Sequence, residues 1–325
     1  MGRLVLSPLR VLLLGDGAWA TGTLTMLDRS PHTVVGVLLR AAPSDEGLGA
    51  LADRLRIPLL QPANINAPDT VLAIRELRPD LLLSIAYNQI LRAPVRAVAP
   101  LGALNIHAGK LPWYRGRNVI NWALINGEPE IGVTAHFMDD GIDTGDILLQ
   151  RILSVDWSDT YGDVLQRVVA AVPGLVLESL DLIAAGNPPR RAQRHLAGSY
   201  FGGRGDGDEW LDWSESSVTL HNKIRAITHP GPGARTELDG QRITIWRAFF
   251  DPAWPHYIAT PGQVVGHDAA GVLVKTGDAT IRVERIARND GAEIVPQWPI
   301  GTRLEPNRLM AALARDRAAA PRVSA

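Results

Sequence analysis

Cysteine is absent from the 325 residues, and lysine occurs only at Lys110, Lys223 and Lys275. Without cysteine there are no disulfides, thiolate metal ligands or cysteine nucleophiles to consider. The scarcity of lysine, among 33 basic residues that are otherwise arginine, reads as a composition bias. Long apolar runs are also missing near the start: Arg3 and Arg10 interrupt residues 1–14, and Val11 to Leu14 ends at Gly15. That run is too short for a signal-peptide core or a membrane span, so a cytoplasmic, non-membrane protein is expected. Neither sign of charge is in excess. With 33 basic and 34 acidic residues the net charge is -1, which gives no bulk attraction to nucleic acid or membrane.

What is present is ordinary globular material, 46% hydrophobic and 21% charged. The length exceeds what one core usually fills, so two domains are expected. In the first half, short apolar runs alternate with helical patterns. Strands are expected at Arg10–Leu14, Val34–Leu39, Asp80–Ile85, Ala103–His107, Gly132–Met138 and Ile147–Leu153. Helices are expected at Ala18–Asp28, Leu48–Leu55, Ile65–Leu77 and Thr160–Ala185. This is the pattern of an α/β domain with a mostly parallel, Rossmann-like sheet.

The grain changes at Gly186 to Arg191, a turn-rich stretch of the kind that joins domains. Beyond it, Trp210 to Trp213 alternates, Ser216–Ile227 is helical, and Asp239-Gly240 marks a type I′ hairpin within Thr236–Ala248. Short strands at Gly262–Val265, Val272–Thr276 and Thr280–Arg285 have the spacing of a small barrel. The expected division is a catalytic domain over 1–188, a linker over 189–203, an OB-like β-barrel domain over 204–308 and a tail over 309–325.

The densest chemistry lies between Ala103 and Gln150. Asn105 and His107 are two apart on a strand and share a face, and Asp143 in Gly-Ile-Asp-Thr-Gly is placed to return to them. An amide, an imidazole and a carboxylate make an acyl-transfer site with no covalent nucleophile: amide and protonated imidazole for the oxyanion, carboxylate for the imidazolium and the proton of an attacking amine. Alone, an Asn-x-His pair is more often a polar strand end. His136, two residues before Met138, reads as a satisfied core histidine. His32, His195, His221, His229, His256 and His267 are scattered without metal spacing, so no metal is expected. Gly15-Asp16-Gly17 with Gly22 is not GxGxxG, which disfavours a dinucleotide.

The stretch as a whole resembles the 10-formyltetrahydrofolate-dependent formyltransferases. The matching residues are Asn105, His107, Leu111-Pro112, Arg115-Gly116, Trp122-Ala123-Leu124, Gly127, Gly132-Val133-Thr134 and Asp143-Thr144-Gly145-Asp146. Leu211-Asp212-Trp213-Ser214, His221-Asn222, Arg225-Ala226 and Pro232-Gly233-Ala234 resemble the C-terminal barrel domain of the same enzymes, so the likeness runs from about residue 10 to 305. It implies an N-formyltransferase whose catalytic residues are Asn105, His107 and Asp143. It further implies 10-formyltetrahydrofolate held by Tyr87, Asn88, Gln89, Ile90, Leu91 and the loop of Met138, Asp139 and Asp140, and an acceptor near Gly15 and Gly17.

One departure bears on the acceptor. Where the family reads His-x-Ser-Leu-Leu-Pro, this chain has His107-Ala108-Gly109-Lys110-Leu111-Pro112. Lys110 with Arg115 and Arg117 would put three positive charges beside the site and suit an anionic acceptor. Residues 190–325 carry 18 basic and 15 acidic side chains, a thin footprint for tRNA. A nucleotide-linked amino sugar is therefore the expected acceptor, with methionyl-tRNA or the hydroxyornithine of siderophore synthesis as alternatives.

Overall fold

The computed structural model describes residues 7–194, 200–289 and 291–305; His195 and the expected tail over 309–325 lie outside them. Strands and helices alternate from the start: β1 (Arg10–Gly15), α1 (Gly17–Leu27), β2 (Thr33–Leu39), α2 (Gly47–Arg54), β3 (Leu59–Leu60), α3 (Pro68–Glu76), β4 (Leu81–Ile85), α4 (Ala93–Arg96) and β5 (Ala103–His107). The helix expected from Ile65 begins instead at Pro68, because the residue before a proline is driven to extended backbone: Ala67 has ψ 140°. There follow β6 (Arg115–Gly116), α5 (Val119–Ile125), β7 (Glu130–Phe137), β8 (Ile147–Ser154), α6 (Tyr161–Ala184) and β9 (Tyr200–Phe201).

Seven of these strands form one sheet in the order β3-β2-β1-β4-β5-β7-β8. The five from β3 to β5 run parallel, and β7 and β8 are antiparallel additions at one side. The central β4 is buried along its whole length, as a continuous Leu81 to Ile85 run requires between two covered faces. Strand order reverses beside β1, which has β2 on one side and β4 on the other. The carboxyl ends of β1 and β4 therefore open on the crevice where sheets of this type take ligands.

The chain divides into two compact units, one from 119 back to the start with 130–155 and 165–202, the other from 120–129, 156–164 and 203 onward. The stretch read as a linker is partly built into the first unit. Arg191 pairs with Ile147, Gln193 bonds the 143–145 turn, and β9 pairs with β6.

In the second unit, α7 (Ser217–Ile227) starts at Ser216, whose hydroxyl accepts the Thr219 N–H. Strands β10 (Ala234–Leu238), β11 (Gln241–Phe249), β12 (Val264–Asp268), β13 (Gly271–Lys275) and β14 (Thr280–Arg288) form an antiparallel sheet in the order β10-β11-β14-β13-β12. Asp239 and Gly240 both have positive φ, 51° and 77°, as the type I′ hairpin demands. The sheet's two edges are joined through the segment after Gly301: Gln263 bridges Arg303 and Glu237 bridges Glu305. This is the small β-barrel domain expected. Among the described residues no helix is long and apolar enough to cross a membrane.

Candidate functional site

Strand β5 delivers Asn105 and His107 to its carboxyl end on one face, and the antiparallel β7 sets His136 directly opposite Asn105. Asp143 comes back over them from the loop after β7, with its backbone held at φ 53°. The side chains meet: Asn105 Nδ2 lies 3.4 Å from Asp143 Oδ1, and His107 Nδ1 lies 3.6 Å from Asp143 Oδ2. The backbone N–H of Gly116 donates to Asp143 Oδ2 at 2.8 Å. The three residues expected to be catalytic are thus one cluster.

Their protonation follows from their surroundings. His107 Nε2 is 2.7 Å from the Tyr114 carbonyl, which can only accept, so Nε2 carries a hydrogen. Burial pushes the imidazole pKa down against the pull of Asp143, so at neutral pH Nδ1 is the bare nitrogen facing the carboxylate. Burial alone would raise the Asp143 pKa, but the neighbouring histidines and the Gly116 N–H outweigh it and hold the carboxyl at about 2.

Gly109, at the family's serine position, explains how the Tyr114 carbonyl gets so close: a Cβ there would overlap that oxygen and the His107 ring. Tyr114 itself sits at φ 55° and stacks on Phe201 with centroids 4.8 Å apart. Gly116 has φ 98°, and its Cβ would strike the Phe201 carbonyl. Both glycines are set by close approach.

Two side chains that were not expected in the site complete the cluster. His136, 2% exposed, is 3.2 Å from Asn105 Nδ2 and 3.5 Å from Asp143 Oδ1. It is a satisfied strand histidine, as expected, and also a member of the site; the signal was its antiparallel register with Asn105. Gln193 donates through Nε2 to the Asp143 and Gly145 carbonyls at 3.0 and 2.6 Å, while its Oε1 accepts from Arg115.

The expected cation cluster is not there. Lys110, whose Cα packs on Gly132, gives its ammonium to Glu130 at the start of β7. Arg115 is 5% exposed and is spent on Gln193 and the Arg194 carbonyl. Arg117 is exposed, and Lys110 is open to solvent too, its side chain 40% exposed beside its Glu130 partner. At the end of β1, a Cβ on Gly15 would overlap Ala20, and Gly17 has φ 67°. The turn they make encloses Asp16, whose carboxylate is paired with Arg40 at 3.0 Å and accepts the Ser44 N–H. These glycines are accounted for by the turn.

The expected folate residues separate into a wall and its supports. Tyr87, Leu91 and Met138 pack together against Leu12, Leu14 and Ala103. The Tyr87 hydroxyl is buried without a partner, and burial raises its pKa. An apolar wall with one unclaimed donor beside the crevice fits a flat, polar-edged pterin. Gln89 holds the 62–65 loop through the Ile65 N–H and Pro62 carbonyl, Asp139 caps its own turn at Gly141, and exposed Asp140 pairs with Arg96. Asn88 and Ile90 are exposed at the tip.

The chain is similar to known formyltransferases along most of its length. The formyl transferase family model matches residues 22–180, and the formyl transferase C-terminal domain model matches 206–298. Methionyl-tRNA formyltransferase of Desulforamulus reducens is 32% identical over 86% of this chain and 90% of its own length. That of Geobacter sulfurreducens is 33% identical over 92% of this chain and 95% of its own. Among solved structures, the N-formyltransferase of Helicobacter canadensis in complex with folinic acid and dTDP-3-aminofucose superposes with a TM-score of 0.68 at 18% identity, covering 85% of this chain and 99% of that one.

Proposed function

The chain belongs to the formyl transferase family and is a 10-formyltetrahydrofolate-dependent N-formyltransferase, and we propose that its acceptor is the α-amino group of methionyl-tRNA. The observation that carries this choice is that relatives bearing that name match through both domains. The cation cluster that favoured a nucleotide sugar, meanwhile, loses Arg115 to the interior and has Lys110 neutralised by Glu130 at the surface.

The folate supplies an activated formyl carbon; the amine nitrogen forms the new C–N bond, the bond from that carbon to folate N10 breaks, and the proton the amine loses ends on the departing N10 of tetrahydrofolate. The residues divide that work. Asn105 offers an N–H that points toward Asp143 across a long 3.4 Å contact, a donor available to an oxyanion developing beside it. The bare Nδ1 of His107 and the Asp143 carboxylate, 3.6 Å apart, are two acceptors facing one gap. A proton leaving the amine is received between them, becoming the imidazolium that Asp143 then stabilises. Gly116 N–H and the Gln193 amide hold the carboxylate and its turn in place.

A second reading, a nucleotide-linked amino sugar, is favoured by the near balance of charge in residues 190–325 and by the exposed Arg117, one residue from the N–H that holds Asp143. The test is to follow tetrahydrofolate release with methionyl-tRNA and with dTDP- and UDP-linked amino sugars in parallel. The first reading expects kcat/KM to be highest for methionyl-tRNA and to fall steeply with salt. A larger kcat/KM for a sugar nucleotide selects the second.

A further inference from the structure

His136 Nε2 lies between two partners, Asn105 Nδ2 at 3.2 Å and Asp143 Oδ1 at 3.5 Å, and the shorter contact sets the direction of the chain. If the Asn105 amide were reversed, its oxygen would sit 3.4 Å from the Asp143 carboxylate and be repelled, so the nitrogen must face Asp143. The same nitrogen is 3.2 Å from His136 Nε2. For that contact to be a hydrogen bond, His136 Nε2 must accept, and its hydrogen must lie on Nδ1. There it meets the Phe137 carbonyl at 2.9 Å. Carbonyl, imidazole, amide and carboxylate are thereby satisfied in sequence. Each Asn105 N–H then has its own direction, one to His136 and one toward Asp143.

We propose that His136 is a positioning residue for formyl transfer, acting through Asn105. Locked as the Nδ1–H tautomer by the Phe137 carbonyl, it takes one amide hydrogen and so aims the other at the reacting centre. Without this acceptor the amide is free to rotate, and its carbonyl can present to the oxyanion instead of its N–H. The inference rests on the formyl-transfer reading and needs no choice of acceptor.

Three measurements test it. The first uses any amine that the wild-type protein formylates: His136→Leu should lower kcat ~10²-fold, the scale of a misdirected catalytic group, with the folate KM little changed. His136→Gln, whose amide oxygen can still accept, should recover most of the loss. The second is a double-mutant cycle. In an Asn105→Ala background His136→Leu should add almost nothing, whereas a merely structural role would subtract its full cost again. The third needs no substrate: 15N NMR of the histidine side chains should show His136 as the neutral Nδ1–H tautomer at pH 7.5. Additive losses in the cycle, undiminished kcat in folded His136→Leu protein, or an Nε2–H or charged His136 would each overturn the proposal. A protein that formylates no amine would instead defeat the functional reading and leave the tautomer result to stand alone.

Discussion

At the scale of single residues, Asp143 ties chemistry to stability. Its carboxyl is held at about 2 against ~3.9 in an unfolded chain, and its side chain is 11% exposed. The folded pKa is depressed, so the contribution, on the order of 2 kcal/mol, is present above pH ~4 and is lost as pH falls toward 2. His107 acts in the same direction higher up: its folded pKa lies below the unfolded value of ~6.5, so the unfolded chain takes up a proton first as pH falls through that value. Asp143→Asn should therefore be less stable than wild type above pH ~4 and converge with it only as pH falls to about 2, as read from urea midpoints; two parallel curves would contradict the assignment. In kinetics the same variant should lose kcat rather than gain KM, and His107→Ala should lose kcat ~10²- to 10³-fold. Tyr87 gives an independent check on the folate wall. Removing its unpartnered hydroxyl with Tyr87→Phe should leave the thermal midpoint unchanged or raised, yet increase the folate KM; an unchanged KM would remove Tyr87 from that wall.

At the scale of elements, the site depends on loops whose glycines admit other backbones. Gly116→Ala should displace the N–H that fixes Asp143 and lower kcat by at least ~10-fold, since the new methyl would meet the Phe201 carbonyl. A Gly116→Ala enzyme with wild-type kcat would show that this N–H is dispensable. Asn105, His107 and Asp143 were legible in the sequence because a two-residue strand spacing and a local motif specify them. His136 and Gln193 were not, since their roles come from pairing between β5 and β7 and from a segment 50 residues after Asp143. Charge misled for the same reason. Lys110, Arg115 and Arg117 are close in sequence, but β6 turns Arg115 inward to Gln193 and β7 presents Glu130 to Lys110. The central parallel strands and the Asp239-Gly240 hairpin were readable from local pattern, whereas the antiparallel β7 and β8 are set by tertiary pairing that periodicity does not encode.

At the scale of the whole molecule, the chain, of net charge -1, combines a Rossmann-like unit that holds Asn105, His107 and Asp143 with a barrel unit matched by the family's C-terminal domain. The central claim is that Asn105, His107 and Asp143 move a formyl group from 10-formyltetrahydrofolate to an amine. The measurement that meets it most directly is tetrahydrofolate release by purified protein, with and without each candidate amine, for wild type and Asn105→Ala side by side. The account predicts release that requires the amine, matches formyl-amide formed one for one, and falls by ~10² or more in the variant. Release that proceeds at the same rate without any amine, or that Asn105→Ala leaves intact, would contradict it.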